Sequence, residues 1–260
     1  MKEWLVFIVL IMLVCQTSRA QDSLKTHEYK VGETTLTIEE QCFKPCESHI
    51  TFIHLHDNES TSIEVAHDFL LQNGGRFIRL VNDSQRNVLL VIANKECCFD
   101  PNRMYSTEGI KASLLNLTDK YPSGAVEEVA KFSNQILQKF INNQSLIVSL
   151  HNNTNSNYSI LQIQKDFFYK KYFGKIFINP DMDEDDFILT TDIAVYHKIV
   201  AKNINVIWEN VNLTQDDGSL SHYAGKHNIP YINIEAQHEH RAEQMAMLDA
   251  IKEMIAPSGK

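Results

Sequence analysis

Residues 52–62 read FIHLHDNESTS, an apolar run that carries His54 and His56 and then breaks into Asp57, Asn58 and Glu59. An imidazole and a carboxylate at i, i+3 can close a small chelate over one turn, and neutral imidazole with carboxylate is a donor set suited to zinc. His56 and Glu59 are therefore candidate metal ligands, with His151, at the end of the apolar run 145–152, as the third. A catalytic zinc takes three protein ligands and lowers the pKa of its water to about 7. Such chemistry also needs a carboxylate outside the metal's ligands to carry a proton to the leaving group. Glu235, at the end of YINIEAQ (231–237), suits that role, and Arg103 in FDPNR (99–103) offers a planar fork for a substrate carboxylate. His54 lies two residues before His56 and so on the same strand face, behind the ligands rather than among them.

These groups need elements to carry them. Alternation or apolar runs predict strands at 34–38, 49–56, 76–81, 87–94, 145–152, 158–164, 204–210 and 231–237. Helical spacing predicts helices near 63–71, over 126–140, over about 191–203 and over about 239–255. Strands alternating with helices, several of them apolar on both faces, predict an α/β fold: one domain over 21–260, with a mixed central sheet of about eight strands and helices on both faces. Ligands in such sheets sit beyond the carboxyl ends of strands, where His56, His151 and Glu235 fall. Residues 95–103 read as a loop. The DMDEDD stretch (181–186) reads as an exposed acidic loop without the spaced ligands of a calcium site. His238 and His240 read as a solvated helix start rather than a second metal site.

The 260 residues carry a net charge of −9, which excludes a nucleic-acid partner because nothing would neutralise phosphates. No glycine-rich phosphate loop and no GxSxG elbow occurs. Lys2, the apolar run 4–14 and Ser18-Arg19-Ala20 read as a signal peptide over 1–20, too short for a membrane span. Cleavage would leave a net charge of about −10. Cys15 raises a lipid anchor, against which the bulky Val14 speaks, so the expected location is secreted or periplasmic. Cys42, Cys46, Cys97 and Cys98 then suggest disulfides. Adjacent cysteines rarely pair, so Cys97 and Cys98 are each expected to reach back to the 42–46 segment. Asn82, Asn116 and Asn212 head glycosylation sequons; Asn58 heads another, where a glycan would block the proposed site.

HDNE, DPNR, SLHN and YINIEAQ, in this order and spacing, resemble the zinc carboxypeptidase superfamily, most closely its succinylglutamate desuccinylase/aspartoacylase branch, whose pattern runs HGNE, DLNR, a lone His after an apolar strand, and a Glu before small residues and Gln. SHYAGKHNIPYINIEAQ is similar to the helix–turn–strand that delivers that superfamily's catalytic Glu. The resemblance covers about residues 49–240. It implies His56, Glu59 and His151 as zinc ligands, Asn102 and Arg103 as holders of the substrate carboxylate, and Glu235 as general acid/base.

Two residues depart from the pattern. Asp57 stands where the family has Gly, and either orients a ligand or caps the following helix. Lys95 stands where a carbonyl-polarising arginine is expected, with Arg86 a remote substitute. The chain also runs only about 25 residues past Glu235, which leaves out the β-rich C-terminal domain of aspartoacylase and predicts a more open site. The expectation is an exported Zn2+ hydrolase of an amide or peptide bond next to a free carboxylate. Its partner would be a small peptide or an N-acyl amino acid, and export favours the peptide. The alternative is a catalytically weak or inactive protein that keeps the metal and binds.

Overall fold

The computed structural model describes residues 23–46, 49–155, 158–165 and 173–255. The expected signal peptide and Cys15 lie outside the described residues. Nine strands form one mixed sheet: β1 (Ser23–Val31), β2 (Thr34–Phe43), β4 (Gly75–Val81), β3 (Ile50–His54), β7 (Leu146–Asn153), β11 (Tyr231–Gln237), β9 (Phe187–Thr190), β10 (Val206–Glu209) and β8 (Phe173–Phe177), in that spatial order. β5 (Val88–Ile92) and β6 (Lys95–Phe99) pair as a separate antiparallel ribbon. The middle of the sheet is parallel: β4 with β3, β3 with β7, and β7 with β11. All eight residues of β7 are buried, as expected of a central strand covered on both faces.

Helices cover both faces. α1 (Ser60–Asn73) and α7 (Arg241–Ile255) pack with Phe52, Val148 and Ile234 in one core. α2 (Thr107–Leu117) and α3 (Ala125–Ile136) cover the other, over Ile53, Ile147 and Tyr231. Ser106 caps α2 by accepting from Gly109 N. In α3, Ala125, Val129, Phe132, Ser133 and Ile136 are buried, and a π-turn at Leu137–Ile141 continues the stripe with Leu137, Phe140 and Ile141. α4 (Ile160–Lys165), α5 (Ile193–Ala201) and α6 (Leu220–Lys226) complete the described helices. Among the described residues, no helix is long and apolar enough to cross a membrane.

The sheet holds the expected architecture, with three corrections. Residues 158–164, expected as a strand, form α4: Ser159 Oγ accepts from Gln162 N, and Ile160 and Ile163 turn one face to the core. Leu161 and Ile163, two residues apart, suit the alternation of a strand, so the cap decides. The expected loop 95–103 begins with β6. Asp185 and Asp186 are buried, not exposed, because Asp186 accepts from Gln237 N and pairs with His240 at 2.9 Å.

The cysteines also depart from expectation. Cys42 bonds Cys46, while Cys97 and Cys98 are free thiols. Alternation along β6 turns the latter two to opposite sides of the ribbon. The ribbon's tip is held at the β1–β2 turn, where Glu33 N donates to Val91 O and Val91 N to Thr34 Oγ1. Cys42 lies eight residues further along β2, about 26 Å of extended chain.

Candidate active site

β3 ends at His54 and the chain turns through Leu55–Asn58 into α1, with Glu59 at its N-cap. This turn brings His56 and Glu59 to the C-terminal part of the neighbouring strand β7, which carries His151. His56 Nδ1 lies 3.0 Å from Glu59 Oε1 and 3.2 Å from His151 Nδ1, and His151 Nδ1 lies 2.9 Å from Glu59 Oε2. All three side chains are buried, and one donor atom of each lies within 4.8 Å of the others. The far ring nitrogens are occupied: His56 Nε2 sits 2.8 Å from Asp100 Oδ1 and His151 Nε2 sits 3.0 Å from Ser149 Oγ. If both Nε2 atoms carry the proton, two Nδ1 lone pairs and a carboxylate converge on one point. That donor set fits a divalent cation, and partners behind the imidazoles are what orient such ligands. Among the described residues, no other cluster of this kind occurs.

Charge in the cluster is strongly coupled. Burial would raise Glu59, yet the imidazoles of His151 and His56 hold its carboxyl well below the usual range. Burial would lower His56, but hydrogen bonds to Asp100 and Glu59 raise it. Arg86 Nη1 adds a contact of 2.5 Å to Glu59 Oε1, and Asn152 N donates to Oε2 at 3.1 Å.

Glu235 is in register with His151 on the adjacent parallel strand. Burial raises its pKa, with the nearby Glu59 also pushing it up, and Asn233 Nδ2 donates to Oε1 at 2.9 Å. Tyr231, Asn233 and Glu235 alternate onto one face of β11 and line a cavity of about 580 Å³ with His56, Glu59 and His151.

Asn102 and Arg103 enter that cavity from a 3-10 turn, Pro101–Arg103, capped by Asp100. Asn102 Oδ1 accepts from Leu220 N, and Tyr105 N donates to Gly218 O, so the 216–220 loop is tied to this turn. Gly218, at φ +76°, packs against Gly109 and Arg103 O: a Cβ on it would come within 2.5 Å of Gly109 Cα. Arg103 Nη2 lies 3.7 Å from Asp217.

The structure does not bring Lys95 to the cluster. It is exposed at the tip of the ribbon, five residues before Asp100 along β6. Arg86 supplies the cation there. Asp57 neither orients a ligand nor caps α1. It is buried and accepts from Arg79 Nε and Nη2 at 2.9 and 2.6 Å and from Asn82 N and Ser84 N at 2.8 and 2.9 Å. It thereby secures the turn that leads to Arg86. His54 is fully buried, its nitrogens facing Leu150 O and His56 O. Burial pushes it down to about pKa 4. His238 lines the cavity and His240 is engaged by Asp186.

Asp100 belongs to the DPNR motif but faces His56 Nε2, and no motif in the sequence marks Ser149 or Glu209. The one local signal for Glu209 is its place as the acid that ends VIWE.

No protein-family model and no curated protein sequence matches the chain. Solved structures with some likeness of fold include murein-tripeptide amidase MpaA from Escherichia coli O157, at 12% identity and a TM-score of 0.49, with 94% of this chain and 97% of that one covered. A second is a succinylglutamatedesuccinylase/aspartoacylase from Rhodobacter sphaeroides, at 13% identity and a TM-score of 0.43, covering 95% and 70%. A third is the ectoine utilization protein EutE (DoeB) from Ruegeria pomeroyi, at 11% identity and 0.47, covering 94% and 71%.

Proposed function

We propose that the chain is an exported metal-dependent hydrolase of an amide or peptide bond next to a free carboxylate. The observation that carries this is the convergence of His56, Glu59 and His151 beside Glu235, in a cavity that also receives Asn102 and Arg103. His56, Glu59 and His151 would hold the ion, with zinc the ion best matched to two imidazoles and a carboxylate; it would supply Lewis-acid polarisation of the scissile carbonyl. The residues of the chain do the rest. Arg103 and Asn102 Nδ2 hold the substrate's carboxylate and so fix the register of the bond. Glu235 takes a proton from the attacking water and returns it to the leaving amine nitrogen. Burial raises its pKa, which strengthens it as the acceptor of that proton. Arg86 stabilises the negative charge that develops on the carbonyl oxygen.

The Cys42–Cys46 disulfide supports the exported reading. Peptides carrying a C-terminal carboxylate are the favoured substrates, ahead of N-acyl amino acids.

The test is metal content and turnover together. The wild-type protein is expected to carry about one zinc per chain and to hydrolyse members of a panel of peptides and N-acyl amino acids. The double variant His56→Ala, His151→Ala should lose the metal, and Glu235→Gln should keep the metal and lose turnover. Equal metal in the wild type and the double variant would refute the ligand set. Equal behaviour of wild type and Glu235→Gln across the panel would leave the second reading, a metal-retaining binding protein. The 2.5 Å contact of Arg86 with Glu59 favours that second reading, because it ties up the cation a substrate carbonyl would need.

A further inference from the structure

On the cavity face, the side chains of β7 and β11 stand in register, Ser149 level with Asn233 and His151 level with Glu235. In each strand the site residue is held by the residue two before it. Asn233 Nδ2 donates to Glu235 Oε1 at 2.9 Å, and Ser149 Oγ lies 3.0 Å from His151 Nε2. One row further back stands Tyr231, whose hydroxyl is hydrogen-bonded to Ser149. His151, Ser149 and Tyr231 therefore form one chain, which runs from the cluster to the wall of the cavity. Ser149 and Tyr231 are each 1% exposed, so the chain is shielded from bulk water.

The two imidazoles of the cluster are backed differently. Behind His56 Nε2 stands the Asp100 carboxylate, 2.8 Å away, which only accepts and so keeps the proton on Nε2. Behind His151 Nε2 stands a hydroxyl, which can accept or donate. Donation to Nε2 would place the imidazole proton on Nδ1, against Glu59 Oε2 at 2.9 Å, and no lone pair would face the cluster. Acceptance from Nε2–H frees the Nδ1 lone pair, but the serine's own proton then needs a buried acceptor. The Tyr231 oxygen is that acceptor. A carboxylate in place of Ser149 would also orient His151. It would crowd a site that already holds Asp100, Glu59 and Glu235, where Glu59 pushes the Glu235 pKa up.

We propose that Ser149, completed by Tyr231, is a positioning residue that fixes His151 in the tautomer whose Nδ1 lone pair faces a divalent cation. The inference rests on the reading of His56, Glu59 and His151 as metal ligands. His151 Nε2–H donates to Ser149 Oγ, and Ser149 donates to the Tyr231 oxygen. The Tyr231 proton is left toward the cavity that its side chain lines. Every proton of the chain is then placed, and no further charge enters the site. The third ligand of the cluster thus depends on Tyr231, which starts the same strand that carries Glu235.

Zinc affinity, measured by competition with a chromogenic chelator, tests this without any turnover. Ser149→Ala should weaken zinc binding by about 10- to 100-fold. Tyr231→Phe removes one buried oxygen without touching β7 and should weaken binding in the same direction. Proton–nitrogen spectra of the zinc-loaded protein add a signature that a packing defect would not move. In the wild type the Nε2–H protons of His56 and His151 should both be downfield and slow to exchange. In Ser149→Ala the His151 proton should lose both properties, and the His56 proton should keep them. Wild-type zinc affinity in Ser149→Ala or in Tyr231→Phe overturns the relay and leaves the ligand set standing. An unchanged His151 Nε2–H signal in Ser149→Ala does the same, because any loss of affinity is then one of packing. A wild type that takes up no zinc removes the ligand set, and the relay with it.

Discussion

Arg86 Nη1 lies 2.5 Å from Glu59 Oε1, so this guanidinium on the wall of the cavity is engaged by one of the three clustered side chains. Its side chain is still 47% exposed, and it reaches the cluster from the turn after β4. A substrate carbonyl entering the cavity therefore competes with Glu59 for this guanidinium.

Arg86→Ala should lower kcat by roughly 100-fold with a smaller change in KM, because it removes a donor used where charge develops. Metal content should stay close to that of the wild type, since His56, Glu59 and His151 remain. Steady-state kinetics with metal analysis checks both; an unchanged kcat would remove Arg86 from the reaction.

Asp57 offers a second handle on the same turn. Its carboxylate accepts four hydrogen bonds, from Arg79 twice and from the amides of Asn82 and Ser84. Burial would raise its pKa, but these donors hold it below the usual value. A depressed folded-state pKa contributes stability above the unfolded-state pKa, and that contribution is lost as pH falls through the folded-state value. Asp57→Ala should cost on the order of 2–4 kcal/mol at pH 7, by urea unfolding, with a smaller difference from wild type in acid. It should also lower kcat, because the turn that delivers Arg86 loses its anchor.

Glu209 gives the opposite sign. Its folded-state pKa, pushed up to about 7 by burial, exceeds that of an unfolded glutamate. The folded state therefore binds more protons between the two values, and stability falls as pH rises through that window. Glu209→Gln removes the penalty. It should raise stability on the order of 2–3 kcal/mol at pH 8 and change it little at pH 4. Thermal melts across pH 4–8 measure the crossover; parallel curves for the two proteins would mean Glu209 is not held protonated by its surroundings.

A chelator should separate ligand binding from folding. A metal held only by the native state stabilises by mass action, about 4 kcal/mol when free metal exceeds Kd a thousandfold. Chelation should lower the Tm of the wild type and leave that of His56→Ala, His151→Ala unmoved. A wild-type Tm indifferent to chelation would speak against a native-state metal.

The sequence by itself determined the parts that depend on local pattern. Alternation and apolar runs place β3, β7 and β11, and HDNE, the lone His151 and YINIEAQ mark their polar ends, because strand period and chain turns are short-range properties. Period alone could not settle 158–164, where Ile160 and Ile163 suit a helix but Leu161 and Ile163 suit a strand, nor detect the short β9, whose four residues are buried throughout. Tertiary structure decided which distant residues meet. Lys95, eight residues before Arg103, is where the pattern expects a cation, but the ribbon carries Lys95 to its exposed tip, while the turn anchored by Asp57 delivers Arg86 to Glu59. The cysteines follow the same rule, since β2 separates Cys42 from the ribbon that holds Cys97 and Cys98. A strand-end acid is legible at Glu209, but only the sheet order β11, β9, β10 brings it to the cavity that Glu235 lines. Pairing between strands far apart in the chain depends on the whole packed core, and no local spacing encodes it.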